Sequence, residues 1–192
     1  MNRRLFSKTC ATVTIVIVGV FASIPAKPQK EWEVADANVR RLQPRAFAQL
    51  PVNILQYLDA HRCTIPQYYA DGRPHNVIRG EFARRGQPDW AVLCSRKKVS
   101  SILVFWKGDV RKRSEIARFA DKNFLQVVGG GIDFSRTILS VDKKYILDHY
   151  RAYGGPKPPP INHQGIDDGF MGKGSVVRYF ARGHWLRLQG AD

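Results

Sequence analysis

The chain has 192 residues, with 31 Lys plus Arg against 16 Asp plus Glu and a formal net charge of +15. With 44% apolar and 11% aromatic residues it can bury a core, which excludes a disordered tail, a collagen-like repeat or a low-complexity segment. After residue 26 no run approaches the roughly 18 uninterrupted apolar residues a spanning helix requires, so a multi-span membrane protein is excluded too.

Arg3, Arg4 and Lys8 make a basic start, and the 18 residues from Thr9 to Ala26 carry no charge around an apolar centre at Val13, Ile15, Val16, Ile17, Val18, Val20 and Phe21. That is the layout of an export signal. Cleavage fits after Ala22, or after Ala26, where Pro25 ends the helical stretch, and residues 1–26 are read as the signal. Arg3-Arg4-Leu5-Phe6-Ser7-Lys8 also resembles the twin-arginine export motif. The uncharged run has the borderline length of an anchor, so ordinary secretion, twin-arginine export and an uncleaved anchor stay open. The expected destination is the periplasm or the exterior, with membrane contact only through the signal if it is uncleaved. Its removal takes away three basic residues and no acidic one, leaving +12, with Cys63 and Cys94 as the remaining cysteines. In an oxidising compartment such a pair is expected to form a disulfide; two buried thiols are the alternative.

Residues 27–30 read as a linker and 31–192 as a single α+β domain, with N-terminal helices followed by a mainly antiparallel sheet with hairpins and one later helix. Helix is expected over Glu33 to Arg41 and again from about Pro51, with Val52, Leu55 and Leu58 on a core face and Ile54 beside them. Strands are expected at Val77 to Phe82, Trp90 to Cys94 and Ser101 to Trp106, the last two forming a hairpin with a basic tip at Arg96, Lys97 and Lys98.

Between the first two of these strands runs Gly80-Glu81-Phe82-Ala83-Arg84-Arg85-Gly86-Gln87-Pro88-Asp89-Trp90-Ala91-Val92. The segment resembles the FG-GAP and VCBS repeat loop, with the pattern GDFNGDGxxDLAV, as it occurs in exported bacterial proteins. In that family alternating acidic and amide side chains hold calcium between two strands. Here Glu81 and Asp89 keep acidic positions while Ala83 and Arg85 replace ligands, leaving too few oxygens for a calcium ion. The resemblance implies a single strand-loop-strand copy with the metal site lost and Arg85 pairing with Asp89 or Glu81; it implies no activity.

Arg111 to Ala120 reads as a short helix or charged loop, Phe124 to Val128 and Ile138 to Val141 as strands around the Gly129–Gly131 run, and Lys143 to Tyr153 as a helix. In that helix Tyr145, Ile146, His149 and Tyr153 are spaced to make one face. A stiff loop with four prolines follows from Gly154 to Pro160, and the chain closes with a hairpin of Ser175 to Phe180 and Trp185 to Leu188. Trp90, Trp106, Tyr179, Phe180 and Trp185 are expected mostly in the core.

His163, Asp167 and Asp168, in Asn162 to Phe170, are the weak candidates for acid-base or metal chemistry, though Asp-Gly after a Pro-rich loop is first of all turn chemistry. There is no HExxH, GxSxG, CxxC, lysine-bearing phosphate loop or GxGxxG, so no metal, cofactor or catalytic constellation is nominated. The basic residues are the remaining handle. Arg84, Arg85, Arg96, Lys97, Lys98, Lys107, Arg111, Lys112 and Arg113 fall near the loops of the sheet, and Arg96 to Lys98 with Arg111 to Arg113 are the candidate polyanion contacts. The expected function is an exported, non-enzymatic module that binds an anionic envelope component, without specific nucleic-acid recognition. The alternatives are an envelope protein-interaction or structural module, a hydrolase with an unrecognised site, and a basic charge that serves solubility alone.

Overall fold

The computed structural model describes residues 28–70 and 72–190, so the expected export signal lies outside the described residues. Helix α1 (Gln29–Asn38) leads into strand β1 (Arg41–Leu42), helix α2 (Val52–Ala60) and strand β2 (Ile65–Pro66), which pairs with β1. A first four-stranded sheet is ordered β3-β4-β5-β6, from β3 (Val77–Gly80), β4 (Asp89–Arg96), β5 (Val99–Phe105) and β6 (Arg113–Ala120). Strands β7 (Leu125–Val128) and β8 (Gly131–Phe134) form a separate hairpin. A second four-stranded sheet, ordered β12-β11-β10-β9, comes from β9 (Arg136–Val141), β10 (Gly165–Phe170), β11 (Gly174–Ala181) and β12 (His184–Gln189), with helix α3 (Lys143–Tyr153) between β9 and β10. Every pairing is antiparallel.

Strand periodicity stacks these elements into layers. Val92, Cys94, Leu103 and Phe105 on one face of the first sheet pack with Phe47, Ile54 and Leu58 from the α2 region. The alternate residues Ala91, Leu93, Ile102 and Val104 face Ile138 and Ile166 of the second sheet. The far side of that sheet, at Val141, Val177, Tyr179 and Leu188, is covered by Ile146 of α3. The order is helix, sheet, sheet, helix. Because β4 and β5 are covered on both faces, their sequences run apolar without alternation. At Gly165 an added Cβ would stand 3.2 Å from Ile146 Cδ1 and 2.8 Å from the Arg178 carbonyl oxygen, so the missing side chain is what lets α3 seat this closely.

Cys63 and Cys94 are joined by a disulfide, which ties the chain just after α2 to β4. Beside it, Thr64 and Ser95 exchange backbone hydrogen bonds of 3.0 and 2.8 Å.

Several expectations are corrected. Helix α1 begins at Gln29, inside the expected linker, and ends at Asn38 because Val39 turns extended and Arg41 pairs in β1. Val52 is 70% exposed; Ile54 and Leu58, one turn apart, are the core-facing pair, and Val52 lies on the other side of the helix. On α3 the buried residues are Ile146 and His149, while Tyr145 and Tyr153 are exposed. Residues 113–120 form strand β6. A bulge sets Ser101 against Ala117 and Arg118, so Ile116 and Phe119 share a face three residues apart, a spacing that imitates a helix. Phe124 closes a 3-10 turn ahead of β7, and Gly131 to Phe134 is an additional strand. Asp167-Asp168-Gly169 is mid-strand, in β10, because β9 and β11 supply its backbone partners on both sides.

Candidate functional site: a basic, phenylalanine-walled cleft

Adjacent residues of a strand point to opposite faces, so β10 sends Asp167 and Asp168 apart. His163 lies outside the strand and stacks on Tyr179, with centroids 4.3 Å apart and planes at 13°. The three candidates for acid-base chemistry therefore do not converge.

Asp168 sits between the sheets. Its Oδ1 accepts from Arg136 Nε at 2.8 Å, and its Oδ2 accepts from Arg136 Nη2 at 3.2 Å and from Arg178 Nη2 and Nε at 2.9 and 3.3 Å. Arg136 is fully buried and spans the two sheets, donating also to Ser100 Oγ at 2.9 Å and to the Ala117 carbonyl at 2.8 Å, while its guanidinium lies 4.4 Å from the Phe124 ring centroid. With four N–H contacts on it, Asp168 is an anchor for two arginines and has little freedom to act as a base.

Asp167 faces α3. Its Oδ2 accepts from the Tyr145 hydroxyl at 3.1 Å, while its buried Oδ1 has no hydrogen-bond partner among the described residues. Burial pushes its carboxyl up from the ordinary value; Ser175, Tyr145 and His149 oppose the rise, and Asp168 adds to it. Below the unfolded-state value, about 3.9, both states hold the proton. As pH rises from there through the raised folded value, the unfolded chain releases its proton first, so folding stability falls across that window. Asp167→Asn should remove this contribution, so chemical denaturation of the native protein and the variant side by side should show the variant's relative stability rising with pH across that window. An unchanged slope in the variant would contradict this reading of Asp167.

On the Asp168 side a cleft of about 510 Å³ lies between the end of β6 with the turn that follows it and strands β10–β12 of the second sheet. Phe119, Phe124 and Phe170 wall it, Asp168 and Arg178 line its floor, and Lys173 and Arg187 are further lining residues. The register places Arg187 directly opposite Arg178, a cross-strand pair of like charges. Burial pushes the Arg178 guanidinium down from its ordinary value; Asp168 opposes this, and Arg187 and Arg136 add to it. Lys173 lies 4.7 Å over the Phe170 ring, and neither it nor Arg187 has a carboxylate partner among the described residues. Counting Arg136 behind the floor, four cations meet one carboxylate. Such a surplus beside an apolar wall concentrates positive potential in the cleft.

The basic residues singled out from sequence lie elsewhere, at the two ends of the first sheet. Lys97 and Lys98 form the β4–β5 turn with Arg96 beside them, whereas Arg113 pairs with Phe105 at the opposite end of β5, a separation of about 20 Å at strand rise. Arg96 pairs with Glu115 and Lys98 with Asp36, each at 2.9 Å, while Lys97 is exposed. Arg111 pairs weakly with Asp109 at 3.4 Å, Lys112 is exposed, and Arg113 stacks 4.8 Å over Tyr57. In the loop between β3 and β4, Asp89 is fully buried and accepts from the Phe82 and Ala83 N–H groups at 3.0 Å, and from Gln87 Nε2 and the Lys107 N–H at 2.8 Å. Arg85 is exposed and no ion pair joins it to Asp89 or Glu81 among the described residues, so backbone and amide N–H groups neutralise Asp89 in place of the expected arginine.

Sequence reading did not single out Lys173, Arg178, Arg187 or Arg136. A signal was there in Val176-Val177-Arg178-Tyr179, an arginine inside an apolar strand that must find a counter-charge. No family model, no curated protein and no solved structure matches the chain.

Proposed function

We propose that this chain is an exported envelope module that binds an organic anion in the cleft between its two sheets. The observation that carries the reading is the surplus of cations at Arg178, Arg187 and Lys173 over the lone Asp168, set against phenylalanine walls. Export follows from the charge pattern of residues 1–26, and the Cys63–Cys94 disulfide suits an oxidising compartment. The FG-GAP-like segment is taken as a structural strand-loop-strand held by Asp89.

The test is thermal melting of the processed protein at low and high salt with octanoate, naphthalene-2-sulfonate and polyphosphate. At about a hundred times Kd an organic anion should stabilise by about 2.7 kcal/mol, a rise of roughly 5–10 °C, and high salt should reduce it. Lys173→Glu with Arg187→Glu should abolish the shift, while Arg111→Glu with Arg113→Glu should keep it. Without ligand, Arg187→Gln alone should raise stability by up to about 1 kcal/mol, because it relieves the repulsion with Arg178.

A second reading is favoured by the exposure of Arg111, Lys112, Arg84 and Arg85 at one end of the first sheet. It would dock a polyanion there. Stabilisation by polyphosphate alone, lost in Arg111→Glu with Arg113→Glu, would select it over the cleft, and no stabilisation by any anion would remove both.

A further inference from the structure

Resting on the anion-binding reading of the cleft, we infer that the ligand is a free, single-chain aliphatic anion, a monomeric fatty carboxylate or alkyl phosphate, and that the cleft selects it over aromatic anions. The wall geometry points this way. Phe124 meets Phe119 at 68° with centroids 6.0 Å apart, and meets Phe170 at 61° with centroids 5.5 Å apart. Edge-to-face rings offer no parallel slot into which a planar ligand could slide and stack on two faces at once. Cations already occupy ring faces: Arg136 lies 4.4 Å from the Phe124 centroid and 5.5 Å from that of Phe119, and Lys173 lies 4.7 Å from that of Phe170. What remains for a ligand is apolar surface of changing direction, together with Val176. A flexible methylene chain follows such a surface at little strain, whereas a rigid ring cannot.

The head group is placed by charge. Arg187 is exposed and Lys173 carries no carboxylate partner, whereas Arg136 and Arg178 are committed to Asp168. A carboxylate or phosphate held by Lys173 and Arg187 leaves its chain to run inward along Phe170, Phe124 and Phe119. A neutral chain of the same length gains the apolar contact and forfeits the charge-assisted hydrogen bonds.

The test is isothermal titration of the processed protein with hexanoate, octanoate and decanoate, each below its micellar concentration, beside octanol, naphthalene-2-sulfonate and anionic phospholipid vesicles. Affinity should tighten by about fourfold for each methylene buried, until the cleft is full. Octanol should bind at least about tenfold more weakly than octanoate, the scale of a charge-assisted hydrogen bond. Lys173→Glu with Arg187→Glu should abolish octanoate binding and leave octanol unchanged. Naphthalene-2-sulfonate bound more tightly than decanoate, affinity independent of chain length, or binding to vesicles alone would each overturn the inference while leaving an anion site in place. Absence of binding by every anion would overturn both the inference and the reading beneath it.

Discussion

Replacing Arg136 with Met is expected to lower folding stability by about 3–5 kcal/mol, the scale for removing one partner of a buried ion pair. For a chain of this size that is a fall of roughly 10 °C in Tm. The guanidinium is fully buried and serves both sheets: Asp168 in β10 of one, Ser100 and the Ala117 carbonyl in β5 and β6 of the other. Its loss leaves a buried carboxylate with one arginine where it had two, and leaves the buried Ser100 hydroxyl and the part-buried Ala117 carbonyl without this donor. Arg136→Lys keeps the charge but cannot reproduce the bidentate fork, and should recover less than half of the loss. Changing Arg136, Asp168 and Arg178 together to apolar residues of similar volume should cost far less than Arg136→Met alone, since no unpaired charge stays buried. Urea denaturation of the three variants checks the series; a loss below about 1 kcal/mol for Arg136→Met would mean that the sheets are held by apolar packing alone.

Cys63→Ala with Cys94→Ala is expected to cost about 3–4 kcal/mol. The sequence separation is 31 residues, and closing a loop of that length in the unfolded chain gives an entropy difference of that order. Both sulfurs lie in the core cluster between α2 and the first sheet, 1% and 0% exposed, so the cavity left by each adds to the loss. The consequence is local as well as global. Helix α2 is held to the sheet by Ile54, Leu58 and this covalent tie, so hydrogen exchange in Val52–Ala60 should accelerate more than in β10 or β11 when the bond is removed. Unchanged exchange in α2, with unchanged stability, would contradict the role assigned to the bond.

Much of the framework was legible from residue pattern. The apolar runs at Trp90 to Cys94 and Ser101 to Trp106, split by a basic turn, specify an antiparallel hairpin, and Lys143 to Tyr153 is a helix as expected, although its buried face holds only Ile146 and His149 of the four residues assigned to it. Where pattern misled, the physical reason is specific. The bulge opposite Ser101 shifts the phase of β6, so a strand acquires the three-residue period of a helix. Asp-Gly at 168–169 has turn chemistry by itself, yet two neighbouring strands and two arginines outweigh that local preference. The cleft was out of reach for a different reason. Two of its walls, Phe119 and Phe124, come from one part of the chain, and Phe170 with the cations at 173–187 from another that is brought beside them by the packing of the second sheet. The disulfide was accessible from the sequence only through the expectation that residues 1–26, with Cys10, are removed, which leaves Cys63 and Cys94 as a single pair.

The local rule that the cleft breaks is the observation on which the proposed anion site leans most. Opposed arginines at 178 and 187 cost stability, and among the described residues no carboxylate pairs with Arg187. An anion held by Lys173 and Arg187 would screen that repulsion. The same arrangement explains why the most exposed basic loops, at Lys97 and Arg111, are poorer candidates for a selective site. They are open to solvent on ends of the first sheet about 20 Å apart, where salt screens them and no apolar wall adds to the attraction.

The most direct measurement is a titration of octanoate into isotopically labelled, processed protein, followed through backbone amide and arginine side-chain resonances. Binding in the cleft predicts saturable shifts at Phe119, Phe124, Lys173 and the Nε–H groups of Arg178 and Arg187, with Arg84, Arg85 and Arg111 to Arg113 unmoved. Shifts confined to those loops, or no saturable shift anywhere, would contradict the cleft as the binding site.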